Sequence, residues 1–424
     1  MEKKTKLLFY GDFVASTGFA TVSMNILVPL HDTGKYDITV LGINYWGEPT
    51  PLQKLPNLQI MPVGINPDKD PYGRNYVKEY IFNADFDILF MLQDSFILAD
   101  VVEAVQKRRE AGKKGKCVIY YPCDGFFKPE WGRAMSVADV PVTYTQFAFD
   151  ETVKAYPPIE SKLKVIPHGA NVTDFHPISH RETYEFKKAY LGPLHDKMLF
   201  SNINRNQIRK DIPRFLMAFK EMKKDCPDAL AYCHCAIKDQ GHNLDEVCRV
   251  LGLVINKDVV FPHNFNPARG FPREILNKIY NMSDVVVSSA TGEGWGLAQV
   301  EAMAAKTAVI SPRNTACTEI IGSDRGLLVD SGHDIEHFIF LPHDNEVMRP
   351  IVSVSDMAKK MKMMYDDDVL RMTCAENGYK WVTNNLIWDK HIVPMWENIF
   401  DGLIKSLDEE NKQDGSVISN AMFV

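Results

Sequence analysis

The chain has 424 residues, 45% of them apolar and 24% charged. That is the balance of an ordinary globular protein with room for two or three domains. With 25 glycines and 24 prolines it is far from the roughly 25–30% of a low-complexity chain. Forty-eight Lys and Arg against 55 Asp and Glu leave a net charge of −7, which excludes a basic coat for nucleic acid.

The N-terminus passes quickly into Leu7-Leu8-Phe9-Tyr10-Gly11, too short an apolar stretch for a secretory leader and better read as a first buried strand. Further apolar runs follow in the first half at residues 38–43, 86–92, 117–121, 140–145 and 163–166, and in the second half at 198–203, 230–236, 259–261, 285–288, 308–311 and 326–329. Most are apolar on both faces, as in parallel strands covered by helices on both sides. Segments such as 22–30, 98–109, 212–224 and 297–305 are long enough for the crossover helices. Two successive β/α arrays predict two doubly wound domains.

The boundary is expected between 175 and 176, after the turn at His168-Gly169-Ala170-Asn171 and Phe175-His176-Pro177. The second domain then covers 176–375. C-terminal helices follow over 376–408, rich in aromatics (Tyr379, Trp381, Trp388, Trp396, Phe400), and residues 409–424 read as a flexible tail. No window approaches the 18 apolar residues of a membrane-spanning helix. The eight cysteines include no C-x-x-C pair. Cys233 and Cys235 lie in an apolar run and read as core thiols, consistent with a reduced, cytoplasmic compartment. The run 107–116 carries six positive charges and one negative. It reads first as a solvated helix end, with a peripheral membrane surface or a polyanionic acceptor as the alternative.

Three strand-to-helix connections carry the chemistry. Ser288-Ser289-Ala290-Thr291-Gly292-Glu293-Gly294-Trp295-Gly296-Leu297 ends a strand, passes through a glycine-rich loop and opens a helix. Such a loop lets backbone approach a ligand, and the helix N-terminus presents free N–H groups to a phosphate. Glu293 and Glu301 flank it, and carboxylates there suit sugar hydroxyls better than phosphate. The second connection, residues 201–211, places Arg205, Arg209 and Lys210 at the carboxyl edge of a predicted sheet, where anions bind. The third, residues 12–21, leads through Gly18 into the first helix as another anion cradle.

In these motifs the chain resembles the retaining, GT-B-fold glycosyltransferases, in particular family four (glycosyl transferases group 1). Glu293 and Glu301 resemble that family's Glu-x7-Glu motif. Arg205 and Lys210 resemble its Arg…Lys pair on the donor diphosphate, and residues 166–177 its interdomain stretch. The resemblance covers about residues 5–400 and is densest from 198 to 330. Three departures stand out. Lys306-Thr307 replaces a Gly-x-Pro turn, and a single Gly18 replaces a glycine pair. Asp124, in Tyr121-Pro122-Cys123-Asp124-Gly125, stands where the family often has histidine.

The resemblance implies two Rossmann-like domains facing a cleft, with C-terminal helices, including Trp381, Trp388 and Trp396, crossing back to the N-terminal domain. It implies a retaining, metal-independent transfer from a nucleotide-diphosphate sugar (UDP or GDP) that needs no further cofactor. The acceptor, held by residues 1–175, is a glycan, lipid or protein glycan hydroxyl. A hydroxymethylated base in DNA is the alternative, and an epimerase or a non-catalytic sugar-nucleotide binder is more remote. Arg205, Lys210, Glu293 and Asp124 are the implied catalytic groups. Gly18, Arg209, Gly294, Trp295, Gly296, Leu297, Glu301 and Asn264 are the implied donor contacts, with no metal ligands.

Overall fold

The computed structural model describes residues 4–64, 69–263, 265–267 and 269–421, with side chains through residue 412. It divides into two units. The first comprises Met1–Cys123, Phe127–Gly169 and Trp388–Val424, and the second Asp124–Phe126 and Ala170–Ile387.

The first unit contains β1 (Thr5–Asp12), α1 (Gly18–Asp32), β2 (Tyr36–Ile43), β3 (Leu58–Pro62), α2 (Arg74–Asn83), β4 (Ile88–Leu92), α3 (Ser95–Glu110), β5 (Lys116–Tyr121), α4 (Pro129–Met135), β6 (Val140–Thr143), α5 (Gln146–Ala155) and β7 (Lys164–Val165). Its seven strands run in the order β3-β2-β1-β4-β5-β6-β7, all parallel. The strands are apolar on both faces because helices cover both; all five residues of β4 are buried.

The second unit contains α6 (His180–Leu191), β8 (Met198–Asn202), α7 (Ile212–Lys223), β9 (Ala229–Cys233), α8 (Leu244–Leu251), β10 (Val259–Val260), α9 (Arg273–Met282), β11 (Val285–Val287), α10 (Leu297–Ala304), β12 (Ala308–Pro312), α11 (Thr315–Ile321), β13 (Leu327–Val329), β14 (Phe338–Phe340), β15 (Met348–Pro350), α12 (Val354–Asp366) and α13 (Asp368–Asn385). Its main sheet runs β10-β9-β8-β11-β12-β13, and β14 and β15 form a separate hairpin. In both sheets the first strand is central and the order reverses beside it. This is the doubly wound order that opens a crevice at the carboxyl ends of the two strands flanking the reversal. The crevices lie between β1 and β4 in the first unit and between β8 and β11 in the second.

Every apolar run singled out in the sequence contains a strand. Three strands escaped the pattern. Edge strand β3 is only partly buried, β14 and β15 are only three residues long, and two of the three β14 residues are exposed. The handover between units falls at 169/170 and 387/388, not at 175/176 and 375/376. Gly169 explains the placement: a Cβ there would lie 2.4 Å from the Trp388 ring.

The C-terminal helix α14 (Val393–Ala421) belongs to the first unit. Trp396, fully buried, packs against Phe90 and Tyr120 with ring centroids 5.1 and 4.8 Å away, and Phe400 meets Phe90 and Tyr36. Trp381 does not join this return. It lies on α13 in the second unit, with the Arg325 guanidinium 4.1 Å over its ring. The expected tail is also corrected, because α14 runs on to Ala421, and Glu410 and Asn411 bond Lys116 and Lys114.

The cations of the basic run have partners within the first unit, with Lys107, Arg109, Lys113 and Lys114 exposed. Arg108 is buried and donates to the carbonyls of Ile81, Phe82, Ala84 and Lys114. Arg109 bonds Val137 and Asp139, Lys113 bonds Phe82, and Lys107 pairs with Glu103. Cys233 and Cys235 are core thiols, and burial pushes the Cys235 thiol up to about 12. Replacing Trp396 by alanine is expected to lower the stability of the first unit by about 3–5 kcal/mol, the cost of emptying a large aromatic site, measurable by urea unfolding.

Candidate active site

The site is built at the strand-order reversal of the second unit. After β8 the chain makes a single 3-10 turn, Ile208–Lys210, and then places Asp211 in the left-handed region (φ 45°) before Pro213 opens α7. That turn brings Arg209 and Lys210 against the glycine-rich loop that follows β11. The two connections are stitched together by main chain: Thr291 N–H donates to the Arg209 carbonyl at 2.8 Å and Ser289 Oγ to the Lys210 carbonyl at 3.0 Å.

Lys210 is buried, and its ammonium donates to Glu293 Oε1 at 2.5 Å. Arg209 Nη1 lies 3.6 Å from Glu293 Oε2 and 3.8 Å from Asp124 Oδ2. Glu293 itself is buried, and its N–H donates to Thr315 Oγ1 at 2.9 Å. Thr315 pays for this with a φ of 44°, strained for a β-branched residue and of the kind that gathers at functional sites. Burial and the neighbouring Arg209 hold the Lys210 pKa down, against the pull of Glu293. Burial would raise the Asp124 carboxyl, but Arg349 and Arg209 overcome it and hold the group below its ordinary value. Three cations, Lys210, Arg209 and Arg349, thus converge on two carboxylates, Glu293 and Asp124.

Gly292 makes this approach feasible: a Cβ there would stand 1.9 Å from the Asp124 carbonyl oxygen. Gly296 (φ 101°) turns the chain into α10. Gly294 and Leu297 are partly exposed beside that helix start, whereas Trp295 is buried. Glu301, one turn into α10, is partly buried and accepts from Tyr280 O–H at 2.7 Å. Burial pushes its carboxyl up to about 7, against the opposing hydrogen bond from Tyr280.

Not every expected residue joins the cluster. The Arg205 guanidinium forms a two-point pair with Asp239, at 2.8 and 3.1 Å, five residues before Lys210. Asn264 lies outside the described residues. Gly18 is the exposed first residue of α1, in the other unit, where Thr17 Oγ1 caps the helix by accepting from Ala20 N–H. The crevice of that first unit is acidic. Asp12, at the end of β1, is buried and accepts from Asn44 at 2.7 Å and from Gln93 at 3.1 Å. Asn44 (φ 53°) follows β2 and Gln93 follows β4. Arg349, Thr315, Asn44 and Gln93 were not found from sequence. The available signal was position, since polar residues immediately after apolar runs lie at a carboxyl edge.

Two parallel, doubly wound sheets with a C-terminal helix on the first define a GT-B-type chain. Residues 184–341 match the model of the family described as glycosyl transferases group 1. The chain is 29% identical over 204 residues to a D-inositol 3-phosphate glycosyltransferase of Corynebacterium diphtheriae, 46% of this chain and 45% of that protein. It is 27% identical over 248 residues to the same-named protein of Corynebacterium kroppenstedtii, 57% of this chain and 49% of that one. It spans about half the length of these curated relatives. Among solved structures, sucrose-phosphate synthase of Thermosynechococcus elongatus superposes with a TM-score of 0.72 at 15% identity, over 95% of this chain and all of that one. HepE of Anabaena, in complex with UDP and glucose, does so with 0.69 at 16%, over 94% and 100%. The resemblance read from the motifs, and the GT-B fold it implied, are therefore borne out, and the match to glycosyl transferases group 1 covers residues 184–341.

Glu301 yields a pH test. Its folded pKa is raised, so the unfolded chain ionises first, and a stability cost develops as pH rises from the ordinary carboxylate range to about 7. Glu301→Gln is expected to raise the melting temperature at pH 8 and to change it little at pH 4.5, as read by calorimetry.

Proposed function

We propose that the chain is a retaining glycosyltransferase that moves a sugar from a nucleotide-diphosphate donor to an acceptor hydroxyl. The observation that carries this reading is the convergence of Arg209, Lys210, Glu293 and Asp124 at the crevice of the second sheet, beside the N-terminus of α10. As the anomeric C–O bond breaks, its electron pair goes to the departing diphosphate. Lys210 and Arg209 neutralise that charge, with the first N–H groups of α10 behind them. Arg205, freed from Asp239, is a further cation for the same anion. The acceptor oxygen forms the new bond on the face the phosphate leaves, and its proton passes to the departing phosphate oxygen. The step as written uses no cofactor beyond the donor.

Glu293 has a second oxygen for sugar hydroxyls while it holds Lys210, and Asp124 is placed to bond the sugar or the acceptor. Glu301 takes the nucleotide ribose. The acidic crevice of the first unit, Asp12 with Asn44 and Gln93, suits a hydroxyl-rich acceptor better than a polyanion.

A thermal-shift screen with nucleoside diphosphates and their sugars tests the reading, UDP first because HepE carries it. A nucleotide at 100 times its Kd should add about 2.7 kcal/mol of stability, and the absence of any shift would overturn the proposal. With a donor in hand, Lys210→Ala is expected to lower kcat by about 10²-fold or more, the scale of losing one preorganised charge-stabilising group. The anomeric configuration of the product, read by NMR, decides retention.

A further inference from the structure

The hairpin of β14 and β15 has no motif in the sequence, yet it delivers one of the most buried charges in the second unit. Arg349, on β15, is 4% exposed. Its Nε and Nη2 grip both oxygens of Asp344, at 2.6 and 3.0 Å, and its Nη1 donates to Asp124 Oδ1 at 2.8 Å and to the Asp124 carbonyl at 2.5 Å. All three nitrogens of one planar fork are thus used, two toward the hairpin and one toward Asp124. A lysine cannot reproduce this geometry. The contact is tight on every side: a Cβ at Gly125 would meet Val347 at 2.8 Å, and one at Gly292 would meet Arg349 Nη1 at 3.0 Å. Phe126 and Phe338 meet with ring centroids 6.2 Å apart and close the same junction.

We propose that Arg349, locked by Asp344, is a positioning residue that fixes both the side chain and the main chain of Asp124 beside Arg209, so that this carboxylate meets the reacting sugar in one orientation. The proposal rests on the glycosyltransferase reading given above. The charged groups facing Asp124 are Arg349 from β15 and Arg209 and Lys210 from the turn before α7. Asp344 lies behind Arg349, and Glu293 lies across Arg209. Without Arg349, burial of Asp124 is opposed by the turn alone. The carboxyl then titrates at higher pH and its direction is set by Arg209.

The test uses the full chain with a nucleotide sugar that the parent protein turns over, in the variants Arg349→Met, Arg349→Lys and Asp344→Asn, each checked for folding by circular dichroism. For Arg349→Met we expect kcat to fall at least about 10-fold while the donor KM stays within about threefold, the split of a group acting on the transition state and not on binding. The acid limb of kcat/KM should move up by about one pH unit or more, the scale of removing an adjacent guanidinium from an aspartate. Arg349→Lys should restore the acid limb but not kcat, because it returns the charge without the fork. Asp344→Asn should lower kcat and leave the limb near its parental place.

Should Arg349→Met not fold, the lysine and Asp344 variants decide. Parental kcat and an unmoved acid limb in folded variants would overturn the proposal and leave the glycosyltransferase reading intact. A parent protein that binds and turns over no nucleotide sugar would overturn both.

Discussion

The second unit is organised around one buried ion pair, Lys210 with Glu293. Two charges in a crevice lined by apolar strands carry a desolvation cost of several kcal/mol each, which their close contact and the further contacts around Glu293 offset. Lys210 has Glu293 at 2.5 Å. Glu293 has Lys210, Arg209 and, through its main chain, Thr315. To make these contacts the chain needs a 3-10 turn ending in a left-handed aspartate, a glycine that lets main chain touch main chain at 292, and a strained threonine. Each of these local conformations is unfavourable by itself. They persist because the surrounding contacts over-determine them, and they hold Lys210 and Arg209 against Glu293 at the sheet edge.

The two units share a strand order and differ in what they put at its reversal. In the second, cations outnumber what a buried carboxylate alone would need. In the first, a buried aspartate, which burial raises and two amides oppose, is the central group. One architecture therefore places a cluster of cations and carboxylates at one crevice and a single buried carboxyl held by two amides at the other. The parallel sheet supplies the position, and the residues that follow its central strands supply the sign.

Charge summed over the chain said little about this division. A net −7 coexists with a crevice in which Arg209 and Lys210 lie within 4 Å of carboxylates. The 107–116 run, the most conspicuous charge feature of the sequence, bonds carbonyls and ties helix α14 to β5 and the loop before it. The less conspicuous Arg349, flanked by Met348 and Pro350, ties Asp344 to Asp124.

Sequence alone determined the twelve strands that are apolar runs, the two-unit β/α organisation and the identity of the glycine-rich and Arg–Lys connections. Buried parallel strands must be apolar on both faces, and a ligand-approaching loop must contain glycine, so both leave local traces. Tertiary structure decided the rest. Which of three nearby cations face Glu293 depends on a turn and on Asp239, which takes Arg205. Which aromatics return to the first sheet depends on where Gly169 admits Trp388, and so Trp396 returns and Trp381 does not. Asp124 gains its partners from a hairpin 225 residues away. Such pairings are set by contacts distant in sequence, and no local periodicity records them.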